Sequence, residues 1–129
     1  MTLGAQRALC AVSLLHPNKL TECFEAIYQA FWFEGQTISK PDVFGAVLLR
    51  VLGEAKGKDV LAAAGKAESK KLLADNTDLA VKEGAFGLPW FVATNSKGET
   101  EGFWGFDHLG QVVDHLGLER EGKGFRAML

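Results

Sequence analysis

Cys10 and Cys23 are the chain's two thiols, a side chain that can attack, exchange or ligate metal. They stand thirteen positions apart, form no Cys-x-x-Cys pair and have no cluster of cations to lower their pKa. Burial as small apolar side chains is therefore the expected role, and redox chemistry is not. His108 and His115, with Gln111, Asp107 and Asp114 alongside, invite a metal-site reading, but zinc needs three or four converging donors and histidines seven apart rarely reach one ion. A solvated or packed helix face is expected there, with no metal. The stretch from Gly53 to Asp59 is superficially like a phosphate loop, but its spacing is one residue short, Asp59 replaces the Ser/Thr and no strand precedes it. Trp32, Trp90 and Trp104 have no basic residues interleaved, so they are predicted to be core or rim aromatics rather than a stacking platform for bases. Two places remain. Pro89, taken by itself, is an ordinary first residue of a strand. Asp107 reads as the N-cap of a last helix, a role worth about 1 kcal/mol.

The elements that must position these residues follow from periodicity. Leu9, Val12 and Leu15, with Ala5, Ala8 and Ala11 among them, recur at helical spacing, and His16-Pro17 ends that pattern because proline disfavours helix in the residue before it. Pro17 can then open a second helix carrying Leu20, Phe24, Ile27 and Phe31, joined by Cys23, Ala26, Ala30 and Trp32. That helix is apolar over more than one face and is expected to be central to the core. Gly35 is the predicted stop, and Thr37 or Ser39 the predicted cap of a third helix bearing Val43, Phe44, Val47, Leu48, Val51 and Leu52 and ending at Gly53. A short helix near Asp59–Ala64, a turn at Gly65 and a fourth substantial helix from Ala67 to about Glu83 come next. After Gly84 the periodicity changes. Trp90 to Thr94 is β-prone and uncharged, Asn95-Ser96-Lys97-Gly98 is turn chemistry and Thr100 to Trp104 resumes strand composition, which predicts a β-hairpin. A final helix with Leu109, Val112, Val113 and Leu116 on one side stops at Gly117, and Leu118 to Leu129 reads as a polar tail.

At 129 residues and 47% hydrophobic, the chain is long enough for one compact core and too short for two ordinary domains. With 14 Lys+Arg against 16 Asp+Glu there is no basic field for phosphate backbones, which argues against nucleic acid. Every apolar run is broken before membrane-spanning length, and the opening residues lack the plan of a signal peptide, so a soluble intracellular protein with no membrane partner is expected.

The run Gly84-Ala85-Phe86-Gly87-Leu88-Pro89, followed by the hairpin and Gly105-Phe106-Asp107, resembles the kappa-class glutathione transferases and the related 2-hydroxychromene-2-carboxylate isomerases. Both belong to the DsbA-like thioredoxin group. The likeness extends back to the opening helix, the His16-Pro17 break and the aromatic helix ending near Trp32, leaving out only the tail. It implies an α/β chain, mostly helical, made of a helical insert with its connecting helix (1–83) and a C-terminal β-β-α thioredoxin half (84–117), then the tail (118–129). It also implies glutathione as co-substrate. In such a fold the proline at position 89 follows a cis bond, and the Leu88 backbone would pair with the cysteinyl unit of glutathione in a ladder-like manner. The Phe106-Asp107 corner would hold the γ-glutamyl end, backbone amides taking its carboxylate and Asp107 its ammonium. Phe106 stands where family members often carry serine, so one hydroxyl contact is missing. Phe31, Trp32, Phe33 and Trp90 are the implied walls of a pocket for a small hydrophobic electrophile or aromatic substrate.

The family's catalytic serine, which would donate to the glutathione thiolate and lower its pKa, lies in a segment that the resemblance puts before the helical insert, and Met1 already falls inside that insert. No residue here matches it, so little or no transferase activity is expected from this polypeptide by itself. The strand at Trp90 to Thr94 would pair in the full fold with a strand from that earlier segment, so its outer edge is expected to recruit another copy or a companion chain. The rival expectation is a non-enzymatic interaction protein working through that edge. The resemblance allows a mitochondrial or peroxisomal location, otherwise a cytoplasmic one; the terminal Ala127-Met128-Leu129 lacks the basic residue of a peroxisomal address.

Overall fold

The computed structural model describes residues 2–119; most of the expected polar tail, including Ala127, Met128 and Leu129, lies outside the described residues. The elements run α1 (Leu3–Leu15), a 3-10 turn (Pro17–Lys19), α2 (Leu20–Tyr28), a π turn (Gln29–Phe33), α3 (Pro41–Leu52), α4 (Glu54–Ala64), α5 (Ala67–Lys82), β1 (Trp90–Thr94), β2 (Thr100–Trp104), a 3-10 turn (Phe106–His108) and α6 (Leu109–His115). The fold is α/β and mostly helical, with one small antiparallel sheet. Two compact units divide the chain at 76/77, within the length of α5.

The first unit is a helical cluster. Ala5, Ala8, Leu9, Ala11 and Val12 of α1 meet Phe44, Val47, Leu48 and Leu52 of α3, with Cys23, Ile27 and Val60 closing the core. The small residues of α1 let its neighbours approach closely, and complete burial of each Val or Leu contributes about 1.5–3 kcal/mol. Three expectations are corrected here. The predicted cap at Thr37 or Ser39 is not used: α3 begins at Pro41, whose fixed φ suits a first helical position, with Lys40 before it and no side-chain cap bond. The short helix near Asp59–Ala64 is longer and starts at Glu54. Gly57 permits this, because a Cβ there would come within 2.7 Å of Leu49 Cδ2 and 3.0 Å of Leu49 Cα, so only glycine lets α4 lie this close to α3. Finally, α2 is less central than its composition suggests. Cys23 and Ile27 are buried, whereas Phe24 and Tyr28, and Phe31 on the π turn that follows, are exposed.

The second unit is built on the hairpin. β1 and β2 pair in the register Trp90 opposite Trp104 through Thr94 opposite Thr100. Asn95 closes the turn, its Oδ1 accepting from the amides of Lys97 (2.9 Å) and Glu99 (3.0 Å), while Gly98 takes a φ of 82° that side chains resist. Asp107 is not the helix cap that its type suggested. It sits inside the 3-10 turn that precedes α6, and Gly105 (φ 94°, ψ 151°) occupies the position before that turn. The positive φ at Gly105 reverses the chain two residues early, and the cap position of α6 falls to His108.

Candidate functional site

The segment around Leu88 combines fixed ends with an unused middle. The Leu88–Pro89 peptide bond is cis. Among the described residues the Leu88 N–H and C=O form no hydrogen bond, and its side chain is 84% exposed. On one side, Gly87 lies under the Trp104 indole: a Cβ there would collide with Trp104 Nε1 and stand 2.9 Å from Cε2. On the other, the Pro89 carbonyl accepts from the Gly105 amide at 3.0 Å, which extends the hairpin ladder by one bond beyond Trp104. Phe86 completes the arrangement, its ring 5.4 Å from Trp90 and 5.2 Å from Trp104.

That ladder bond brings the second sequence-predicted place beside the first. Phe106 and Asp107 directly follow Gly105, and among the described residues neither of their amides donates to a backbone carbonyl. The Asp107 carboxylate folds back over Gly105, where any Cβ would meet its Oδ1, and stands 3.3 Å from His108 Nδ1. That contact is too poorly directed to satisfy the buried Nδ1, so it is a proximity and not a hydrogen bond. The side chains of Phe106 and Asp107 are both exposed. Among the described residues the corner therefore leaves two amides without an acceptor next to an exposed carboxylate.

The family model of the DSBA-like thioredoxin domain matches residues 1–117. The chain belongs to the DsbA-like thioredoxin family. Within that family it is similar to "Glutathione s-transferase kappa 2" of Caenorhabditis elegans, 34% identical over 115 residues, which are 86% of this chain and 49% of the relative. It is also similar to "Glutathione S-transferase kappa 1" of Homo sapiens, 28% identical over 116 residues, 89% of this chain and 50% of the relative. The chain spans about half the length of these curated relatives.

Cys10 and Cys23 stand far from the cis-proline in sequence, and their chemistry is quiet. Cys10 and Cys23 are free and buried. Burial pushes the Cys10 thiol above its ordinary value; Cys23 is raised mainly by burial and further by Glu22, with Lys19 partly opposing. Both are held as thiols at neutral pH, the wrong form for attack. Among the described residues no group of three or more His, Cys, Asp or Glu could hold a metal ion. His115 instead faces the hairpin, its Nε2 3.1 Å from the carbonyl oxygens of both Ala93 and Glu99 and its ring 5.6 Å from that of Phe103.

The implied pocket residues fall in different units. In the first, Phe31, Trp32 and Phe33 ride the π turn, and Trp32 and Phe33 are 71% and 80% exposed, with Phe31 and Trp32 in edge contact at 4.7 Å. In the second, Trp90 is half-buried beside Phe86 and Gly102, its Nε1 enclosed with no hydrogen-bond partner among the described residues. Sequence reasoning held Gly87 and Gly105 only as members of a motif, Trp104 as a core or rim aromatic and His115 as part of a helix face, and gave none of them a part in the site. Trp104 and Gly105 stood next to the flagged corner, but their contact with Gly87 and Pro89 depends on hairpin register, which no local pattern announces.

Proposed function

We propose that this chain supplies the glutathione-gripping half of a kappa-type glutathione-dependent transferase or isomerase. The observation that supports it best is the Gly105 to Pro89 hydrogen bond, which holds a free peptide unit at Leu88 beside free amides at Phe106 and Asp107. Glutathione carries the matching groups: an extended peptide backbone around its cysteine and, at its γ-glutamyl end, a carboxylate and an ammonium. In this reading the Leu88 N–H donates to, and its C=O accepts from, the cysteinyl unit. The Phe106 and Asp107 amides take the γ-glutamyl carboxylate, and Asp107 takes the ammonium. The names of the two relatives support the same choice of ligand.

The chemistry we propose for these residues is binding and orientation. Activation of the thiol needs a donor aimed at its sulfur, and none of the residues above is assigned that work, so this polypeptide alone is proposed to bind glutathione without appreciable turnover. The second substrate proposed for the assembled enzyme is a small hydrophobic electrophile or aromatic compound. Calorimetric titration of the chain with glutathione tests the reading. Saturable binding that Asp107→Ala weakens about tenfold or more is expected, since losing a charged hydrogen bond costs about 1.5–3 kcal/mol. Absence of heat in both proteins would refute it.

A second reading has its own support. β1 has a hydrogen-bonded partner on one side only among the described residues, and Trp90 to Thr94 carries no charge to discourage pairing on the other. On that reading the chain is a non-enzymatic subunit that pairs through this edge. It predicts binding of a partner strand with no response to glutathione.

A further inference from the structure

The free peptide unit at Leu88 is flanked on both sides by contacts from two consecutive residues of the other strand. Trp104 lays its indole on Gly87, and Gly105 donates to the Pro89 carbonyl. Leu88 itself touches little: its side chain is exposed and its backbone groups are unpaired among the described residues. An unpaired, exposed loop residue ordinarily moves, and a moving residue makes a poor recognition element because binding must first order it. Here its two neighbours are pinned instead. The indole contact is intimate enough that residue 87 can carry no side chain, and Phe86 packs against the same indole from the loop's own side.

We infer that Trp104 is a positioning residue for peptide binding at Leu88: with Gly105 it forms a two-point clamp that presents the Leu88 N–H and C=O in one fixed direction. The inference rests on the glutathione reading for its ligand but not for its geometry. Trp104 touches no ligand atom in this scheme. Its indole acts through Gly87, and the Gly105 amide acts through Pro89. The clamp also explains the glycine at 87 and the tryptophan at 104 as one device, since either alone leaves the other without a function: a glycine with nothing resting on it, or an indole with nowhere to sit.

The test uses the full chain, backbone amide NMR and Trp104→Leu. Without ligand, the Leu88 amide of the unaltered chain should show an order parameter near the rigid-backbone value of about 0.85, and the variant a value below about 0.6. With glutathione added, resonances at both Leu88 and Asp107 should shift in the unaltered chain. In Trp104→Leu the Asp107 shift should persist while the Leu88 shift shrinks and affinity falls about tenfold, the scale set by ordering one freed backbone residue. Trp104→Phe, which keeps a ring over Gly87, should recover most of the loss. Should Trp104→Leu fail to fold, Gly87→Ala displaces the indole from the opposite side and should loosen Leu88 in the same way. Equal rigidity and equal affinity in the variants would overturn the clamp. If the unaltered chain ignores glutathione while Leu88 still loosens in the variant, the ligand is wrong and the clamp stands.

Discussion

The imidazole of His115 meets two carbonyl oxygens, and carbonyls only accept, so its Nε2 must carry the proton in either contact. A ring committed in this way ties α6 to β1 and to the hairpin turn. His115→Phe keeps a ring against Phe103 but abandons both carbonyls. The Glu99 carbonyl keeps its bond from the Asn95 amide, so we expect the net loss of a hydrogen bond, about 0.5–1.5 kcal/mol in urea unfolding; an unchanged midpoint would deny the residue this role. The two cysteines make a second case at this scale. Their folded pKa values are raised, chiefly by burial, so on going alkaline the unfolded chain releases thiol protons before the folded one does. The folded state then holds more protons, and stability is complete below the unfolded thiol pKa of about 8.5 and falls as pH rises from there toward the folded values. Thermal melts between neutral and alkaline pH should show this decline, and Cys10→Ala with Cys23→Ala should flatten it. Both thiols should also react far more slowly with a disulfide reagent in the native chain than in urea.

Among the elements, two helical glycines make opposite predictions from the same residue type. Gly57 lies in the interior of α4, where alanine would gain about 1 kcal/mol of helix propensity. Its Cβ would, however, press on the Leu49 α-carbon, which cannot swing aside, and overpacking of this kind costs about 1–3 kcal/mol, so Gly57→Ala should destabilise. Gly65, at the end of α4, has ordinary helical angles (φ −81°, ψ −14°) and open space around its Cα. Gly65→Ala should stabilise by about 0.4–1 kcal/mol, mostly by restricting the unfolded chain. Differential scanning calorimetry of both variants should move the midpoint in opposite directions. The same contrast explains what the sequence could and could not disclose. Helix ends at His16, Gly53 and Gly84 and the hairpin around Asn95 and Gly98 are legible because proline, glycine and asparagine act on their own neighbourhood. The early start of α4 is not, since Gly57 is a poor helix former rescued by distant Leu49. Asp107 has the right type for a cap, and only the φ of Gly105 reveals that the chain has already turned. The run through Leu88-Pro89 stood out as a motif, whereas its anchoring by Trp104 and Gly105 exists only once two strands are in register.

For the molecule as a whole, the second unit raises the question of what completes its sheet. A two-stranded hairpin is marginal in water unless a helix or further strand covers it, and here α6 packs against one face through His115 and Phe103. Among the described residues the edge of β1 away from β2 has no strand partner, in a segment reading Trp-Phe-Val-Ala-Thr, with Val92 nearly half exposed. β2 is different: it carries Glu101, a charge of the kind that blunts an edge. Any strand that joins the sheet should therefore add to β1, whether it comes from a second copy or from a companion chain. Light scattering across a concentration series should show the mean mass of the isolated chain rising above 14.0 kDa. Val92→Lys places a charge beside that edge on a side chain that already reaches solvent, so it should hold the mass at the monomer value while leaving the helical circular dichroism unchanged. A parent chain that stays monomeric at every concentration would rule out self-pairing. Equal association by parent and variant would move the contact elsewhere, to the exposed aromatic side chains of the π turn.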